Sequence, residues 1–268
     1  MYILEKIFYQ LINEISNMKG VHSIGKTGTK ELPQSNESDI DIFIFCDEIP
    51  DVNLRKTIYK DIKNNLKIFT NDIESKHWGI MDFIYINDIE ICLMYFNSNK
   101  VMAETDNILI GDRLEKEDNY FYPIGRCATL KNIYVLYDKE DFLKNIRDKL
   151  KTFPKELYDK KVKYHKNRLN DKEDFERAVS RGDVLFYHFV LDIAIDHYLQ
   201  LLFTLNQCYF PSRKKSIEFI DGFKVKPNDT VNKILKVVDL GGNKDTIKES
   251  YAIWKKLCKD IEDLENSL

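Results

Sequence analysis

The chain has 268 residues, enough to bury a core in one large domain or two moderate ones. Its hydrophobic share of 43% and charged share of 32% are typical of a globular protein, and a net charge of −3 gives no basic field that would favour nucleic acid or an anionic membrane. The five cysteines form no C-x-x-C pair and do not cluster with the five histidines, which argues against a zinc site and is typical of reduced thiols in a cytoplasmic protein.

The first half of the chain alternates between helical and strand patterns. Apolar side chains at helical spacing predict a helix over residues 2–18, with Gly20 after it as a stop signal. A strand over 21–24, a loop rich in turn-forming residues, a buried strand over 40–45 and a helix over 51–67 follow. The remaining predicted strands of this half are 80–86, 89–96 and 133–137.

The dipeptide Asn87-Asp88 lies between two of these strands and predicts a two-residue hairpin turn. Such a turn fixes the register, because it places Tyr85 opposite Glu90 and every further pair follows. Glu90 then shares a face with Tyr85, while Asp82 lies on the opposite face of the hairpin.

From about residue 139 the pattern is helical almost throughout, with candidate helix starts at Asp171, Ser212, Asn228 and Asp245. The most apolar window, residues 184–203, is interrupted by charged and histidine side chains and therefore indicates a buried core helix, not a membrane span. We predict an α+β fold, with a mixed β-sheet flanked by helices in a domain over residues 1–138 and an all-helical domain over residues 139–268.

Two carboxylates, Asp39 and Asp41, stand at the head of the buried strand 40–45. Because side chains alternate faces along a strand, both point to the face that carries Phe43, about 7 Å of backbone apart. Carboxylates on a packed face repel each other and lose hydration unless a cation lies between them. Mg²⁺ meets this need with one or two carboxylates plus substrate phosphates, and Glu90 on a neighbouring strand could complete the cluster.

The loop before this strand contains two glycines, Gly25 and Gly28. Either would let the backbone approach phosphate oxygens closely, and the choice between them stays open. A glycine-containing loop followed by three acidic groups from two strands fits metal-assisted phosphoryl transfer, with in-line attack by an acceptor oxygen.

These residues resemble the signature of the nucleotidyltransferase superfamily typified by DNA polymerase β. In that family Gly-Ser is followed, after a short loop, by Asp-x-Asp on a strand and later by a third carboxylate on another strand. The corresponding segments here are Gly28-Thr29, Ser38-Asp39-Ile40-Asp41 and Glu90. Thr29 departs from the usual serine but keeps the hydroxyl, and Gly25-Lys26 is a rival match for the loop.

The layout is similar to bacterial antibiotic-type nucleotidyltransferases, including the lincosamide and aminoglycoside adenylyltransferases, which pair a minimal catalytic domain with a helical domain. Softer matches at residues 134–138, 181–183 and 205–211 extend the resemblance over most of the chain. It implies an enzyme that transfers a nucleoside monophosphate, AMP from ATP or another NTP, to a hydroxyl group of a small molecule such as an antibiotic. The oligomeric state, including a homodimer, stays open.

The resemblance also implies roles for individual residues. Asp39 and Asp41 would hold Mg²⁺, in a site for two metal ions, together with the NTP phosphates. Glu90 would be a third ligand or the general base toward the acceptor hydroxyl. The implied nucleotide-binding residues are Gly28, Thr29, Ser38 and Lys214.

Polar residues recur every four positions on the long apolar helix, at His188, Asp192, Asp196 and Gln200. This stripe either contacts a cationic or hydroxyl-rich acceptor or forms a solvated helix edge. We take Asp183, His188 and Asp192 as the substrate-binding candidates. Lys214 belongs to a basic run at a predicted helix start, where cations meet an unfavourable helix dipole, so the run indicates either a nearby anion or a solvated surface corner.

Asp82, His77 and Trp78 are further candidates. Asp82 would replace Glu90 as the third carboxylate if its strand slipped by one residue. His77 and Trp78 could stack a base or an acceptor ring, although an aromatic pair entering a strand more often packs in the core.

Other functions stay open. An antitoxin-like enzyme would nucleotidylate a protein partner, and a relative that has lost catalysis would bind nucleotide without Mg²⁺-dependent turnover. A nucleic-acid polymerase would need a basic groove, which the composition does not support.

Overall fold

The computed structural model describes residues 2–33, 38–62, 66–75, 79–117 and 122–268. The chain forms two compact units, and the chain passes from one unit to the other more than once. The first unit is Met1–Asp106 with Thr129–Thr152, and the second is Asn107–Ala128 with Phe153–Leu268. The boundary predicted near residue 138 lies within the second segment of the first unit.

The first unit contains a six-stranded mixed sheet. Its strands are β1 (Val21–Lys26), β2 (Ile40–Cys46), β3 (Lys67–Phe69), β4 (Ile80–Ile86), β5 (Ile89–Asn97) and β6 (Tyr134–Asp138). They lie in the order β3-β4-β5-β2-β1-β6, with β2 and β5 parallel and the other neighbours antiparallel. The helices that accompany them are α1 (Tyr2–Ser16), α2 (Val52–Ile62), α3 (Ser98–Leu109), α4 (Ile124–Asn132) and α5 (Phe142–Lys149), of which α3 and α4 run across unit boundaries.

One face of the sheet forms the hydrophobic core of this unit. Ile42, Ile44 and Leu93 on the two central strands are completely buried, and Phe8 and Ile15 of α1 belong to the same cluster. Each such side chain contributes roughly 1.5–3 kcal/mol to stability. The alternation along the strands sends the intervening residues, Asp41 among them, to the opposite face.

The hairpin of β4 and β5 has the predicted register. Asn87 and Asp88 both have positive φ angles, 50° and 64°, as a type I′ turn requires. Tyr85 lies opposite Glu90, so this sequence-based prediction is confirmed.

In the described part of the second unit, all regular secondary structure is helical. After the segment 107–128 its helices are α6 (Lys155–Lys166), α7 (Lys172–Arg181), α8 (Val184–Leu205), α9 (Ser216–Asp221), α10 (Thr230–Gly241) and α11 (Ile247–Asn266). Most side chains of α8 are buried, as expected for a core helix. Among the described helices, none is both long enough and apolar enough to cross a bilayer. The predicted α+β fold class, with a mixed sheet and a helical C-terminal region, is confirmed.

Candidate active site

Two of the three candidate carboxylates, Asp41 on β2 and Glu90 on β5, share one face of the sheet, and Asp39 directly precedes β2. β2 and β5 pair in parallel, with Asp41 beside Cys92. The same register, continued by one residue, places Asp39 beside Glu90. Asp39 is exposed, and Asp41 and Glu90 are half-buried, so this end of the sheet face is accessible to solvent.

The buried thiol of Cys92 lies within electrostatic reach of all three carboxylates. Burial, followed by the negative charges of Asp41, Glu90 and Asp39, raises the pKa of Cys92 to about 12. Carboxylates on both strands therefore lie near enough to one sulfur atom to disfavour its thiolate. Asp39, Asp41 and Glu90, which we call the acidic row, form a region of concentrated negative charge.

Aromatic rings cover the same face farther along the strands. Phe43 and Phe96 stack with ring centroids 5.4 Å apart. The ring of Phe45 lies 5.0 Å from that of Phe142, at the start of α5. The face thus has a closed apolar half and an accessible acidic half, and the boundary between them follows Asp41.

Glu90 is held by its partner across the hairpin. The Tyr85 hydroxyl donates a hydrogen bond to Oε2 of Glu90, and this bond raises the pKa of Tyr85. The Lys67 amine lies 4.6 Å from the centroid of the Tyr85 ring. Sequence reasoning assigned no role to Tyr85 or Lys67, although the hairpin register already placed Tyr85 opposite Glu90.

Asp82 has a different role. It is completely buried on the other face, where it forms a salt bridge with Arg55. Its carboxylate also accepts hydrogen bonds from the Tyr59 hydroxyl, at 2.8 Å, and from the backbone N–H of Asn71, at 3.1 Å. The register argument that put Asp82 on the face opposite Glu90 is therefore confirmed.

The structure separates the two glycine candidates of the preceding loop. A Cβ on Gly25 would lie 2.5 Å from Cδ1 of Ile133, so the absence of a side chain there serves packing. Gly28 has a φ of 75°, and within the described chain no atom lies within 4 Å of where its Cβ would be. Gly28 is therefore the glycine at which the backbone is open to a ligand.

Thr27, between the two glycines, contacts Asp41 directly. Its backbone N–H donates to the Asp41 carbonyl at 3.1 Å, and its hydroxyl donates to Oδ2 at 3.5 Å. Thr29 and Ser38 are both exposed. Hydrogen bonds from the Glu31 backbone and from the Thr29 hydroxyl lower the pKa of Glu31. Sequence reasoning missed Thr27, whose position between two glycines was the available signal.

Lys26 closes this loop at its base. Its amine donates to the carbonyl oxygens of Thr27, at 3.2 Å, and Glu31, at 3.3 Å. Burial lowers the pKa of Lys26. A positive charge at the base of a glycine loop favours the approach of an anion.

The remaining candidates lie in the helical unit. Asp183 is the N-cap of α8, and its carboxylate accepts the backbone N–H of Phe186 at 3.0 Å. Asp192 is exposed and forms an ion pair with Arg213. Lys214 is exposed in the turn before α9. Asp183 thus has a structural task as a helix cap, and the charge of Asp192 is partly balanced.

The polar stripe along α8 is more deeply buried at its C-terminal end than at its N-terminal end. His188 is half-buried, whereas Asp196 and Gln200 are buried. Asp196 accepts a bond from Lys116 at 3.0 Å, and Gln200 accepts one from Lys161 at 2.6 Å. The inner half of the stripe is a hydrogen-bonded interior network, not a surface.

The acidic row fits a hard cation better than a soft one. Across the described ranges, no three or more His, Cys, Asp or Glu side chains come together as a group that could hold a metal ion, so Asp39, Asp41 and Glu90 do not converge on one point by themselves. An open set of carboxylate oxygens is what Mg²⁺ uses when phosphates and water complete its coordination. The raised pKa of Cys92 keeps its thiol protonated, which makes it a poor ligand. His77 and Trp78 lie outside the described residues.

Comparison with known proteins gives similarities to a family model and to solved structures. Residues 123–215, about a third of the chain, match a family model described as a domain of unknown function, DUF4037. The fold is similar to that of a nucleotidyltransferase-like protein from Exiguobacterium sibiricum, with 12% sequence identity, a TM-score of 0.48, and coverage of 96% of this chain and 74% of that one. No curated protein matches the chain in sequence. The structural similarity is a general likeness of fold, and the function proposed below rests on the side chains of this chain.

Proposed function

We propose that the protein is a nucleotidyltransferase that transfers a nucleoside monophosphate, AMP from ATP, to a hydroxyl group of a small molecule. The proposal rests on one observation: the acidic row of Asp39, Asp41 and Glu90 lies at the accessible end of one sheet face, beside the loop that contains Gly28. Concentrated negative charge of this kind is unfavourable unless a cation offsets it. A metal-bound triphosphate supplies that cation at the place where the loop is open to phosphate.

In this proposal Asp39 and Asp41 would hold Mg²⁺, which would supply positive charge to offset that of the phosphates during in-line displacement. Thr27 holds the backbone of Asp41 through its N–H, and Gly28 lets the loop approach the phosphates without a Cβ. Lys26 adds positive charge at the base of the loop. Thr29 and Ser38 are proposed as further contacts to the nucleotide.

The transfer itself is a single displacement at the α-phosphorus. The acceptor hydroxyl oxygen forms a bond to this phosphorus while the bond to the bridging oxygen of the β-phosphate breaks, and pyrophosphate leaves with the electron pair. The hydroxyl proton passes to Glu90 if Glu90 is the general base, or to solvent if Glu90 is a third metal ligand. These two roles require different distances between Glu90 and the acceptor oxygen.

The helical unit is proposed to bind the acceptor. His188 and Asp192 offer a hydrogen-bonding ring and a carboxylate, which suit a hydroxyl-rich or cationic molecule such as an antibiotic. Asp183 is proposed with them, although it also caps α8. Lys214 is proposed to contact the triphosphate.

Pyrophosphate release from Mg²⁺-ATP tests the proposal, measured across a panel of hydroxylated antibiotics and metabolites. We expect at least one acceptor to stimulate release, and Asp41→Asn to lower the stimulated rate by about 100-fold or more, since it removes charge at the reacting phosphates. Asp61→Asn, an exposed residue of α2, is the matched control and should behave as wild type.

The same measurement can refute the assignment. Equal release from wild type and Asp41→Asn would remove the proposed metal site. Calorimetry separates the nearest alternative, because nucleotide binding that is independent of Mg²⁺ and occurs without turnover would indicate a binding module.

A further inference from the structure

Glu90 receives a hydrogen bond from within its own hairpin. Among the side chains that the structure describes, Tyr85 is the one that bonds the Glu90 carboxylate, with its hydroxyl donating to Oε2. The bond follows from the register of β4 and β5, which sets the two residues directly opposite each other on one face. This bond occupies Oε2 and leaves Oε1 available to a metal ion or an acceptor.

The Tyr85 ring is itself fixed from the other side. Lys67 of β3 pairs with Tyr85 in the sheet, and its amine lies over the ring, 4.6 Å from the centroid. Phe69 meets the ring edge-on, with centroids 6.1 Å apart and planes at 82°. Contacts across three strands therefore connect Lys67, Tyr85 and Glu90. Through these contacts the short edge strand β3 packs against the side chain that bonds Glu90.

A glutamate side chain has several rotatable bonds, and an exposed one samples many rotamers. Both roles open to Glu90 need its carboxylate held in one place, because a displacement of about 1 Å at a reacting group can lower a rate by roughly 100-fold. We propose that Tyr85 is a positioning residue for Glu90, holding Oε2 so that Oε1 is presented to the reaction. This inference rests on the nucleotidyl transfer proposed above and adds to it a second residue of the same hairpin.

A double-mutant cycle tests this inference with Tyr85→Phe, which removes the hydroxyl and keeps the ring, together with Glu90→Gln and the double variant. Tyr137→Phe, which removes a hydroxyl from a half-buried tyrosine of β6, is the control. We expect Tyr85→Phe to lower kcat for pyrophosphate release about tenfold and to leave the KM for Mg²⁺-ATP within about twofold. In the Glu90→Gln background, Tyr85→Phe should have little further effect on kcat.

A measurement without turnover accompanies the kinetics. Urea unfolding midpoints of the four proteins should be non-additive for Tyr85→Phe and Glu90→Gln, as expected of two residues in contact. A purely structural bond would give this coupling without any change in kcat, so that outcome overturns the positioning role. An equal loss of kcat in both Glu90 backgrounds, or a Tyr85→Phe enzyme that matches Tyr137→Phe, overturns it as well.

Failure of the proposed function has a different signature. The wild-type protein would then release no more pyrophosphate than Asp41→Asn. Failure of the Tyr85 inference leaves the difference between wild type and Asp41→Asn intact and removes only the effect of Tyr85→Phe.

Discussion

Aspartate has two distinct uses in the first unit, and burial distinguishes them. Asp82 is completely buried and bonded by Arg55, Tyr59 and the Asn71 backbone, whereas Asp39 is exposed at the head of β2. Removal of one partner from a buried ion pair leaves an uncompensated charge in the core, which is strongly destabilising. The first residue serves stability, and the second is free to serve a ligand.

Asp82→Asn should therefore lower the free energy of unfolding by about 3 kcal/mol, because Arg55 loses its buried counter-charge. Asp39→Asn should change that free energy by about 0.5 kcal/mol or less, as is usual at exposed positions. Urea titration monitored by circular dichroism gives both values. Similar losses in the two variants would show that Asp39 also has a structural role.

At the scale of single elements, the turn between β4 and β5 determines where Glu90 stands. Asp88 has a φ of 64°, a left-handed conformation that glycine adopts readily and that aspartate adopts more easily than alanine. Asp88→Ala should destabilise the protein by about 1 kcal/mol, while Asp88→Gly should be neutral or slightly stabilising. Thermal unfolding of the matched pair measures the difference, and equal melting temperatures would mean that the turn can adopt another conformation.

The same turn explains why some elements could be predicted from sequence. Asn87-Asp88 fixes both the hairpin and its register, and a side-chain cap at Asp171 fixes the start of α7, where the carboxylate accepts the Asp174 N–H at 3.1 Å. The other helix starts, predicted at 212, 228 and 245, lie one to three residues before the observed caps, none of which makes a side-chain capping bond. Where the side chain does not cap the helix, local sequence places its start only approximately.

Two elements that local sequence does not mark, β3 and α3, were not predicted. β3 has three residues and exists through its pairing with β4, and α3 begins directly after β5 without a turn signal between them. The acidic row could be recognised because Asp39 and Asp41 are close in sequence. Tyr85 was placed opposite Glu90 by the predicted register, but the register alone does not show that its hydroxyl bonds the carboxylate. Thr27 was missed because its contact with Asp41 depends on how a loop meets a strand in space.

At the scale of the whole molecule, the helical unit contains a lysine without a carboxylate partner among its described contacts. Lys161 of α6 is buried, and its amine donates to Gln200 at 2.6 Å and lies 3.1 Å from His165. His165 in turn contacts His197 at 3.0 Å. Burial lowers the pKa of Lys161 to about 7, and burial also lowers the pKa values of both histidines.

These shifts make the stability of the protein depend on pH in a defined direction. The unfolded chain holds the Lys161 proton up to about pH 10.4, whereas the folded protein releases it near pH 7, so the unfolded state binds more protons between these values and stability rises with pH. The contribution of Lys161 to this gain from pH 7 to pH 9 should be about 2 kcal/mol, since one proton corresponds to at most about 1.4 kcal/mol per pH unit. The raised pKa of the buried Cys92 thiol acts in the opposite direction, so the contribution of Lys161 is the difference between wild type and a variant without this amine. Lys161→Met should abolish this gain in urea titrations at the two pH values, and Lys163→Met, an exposed lysine of the same helix, should retain it. A pH dependence that is the same in wild type and in Lys161→Met would show that Lys161 keeps its proton in the folded state, with a counter-charge or water compensating its burial.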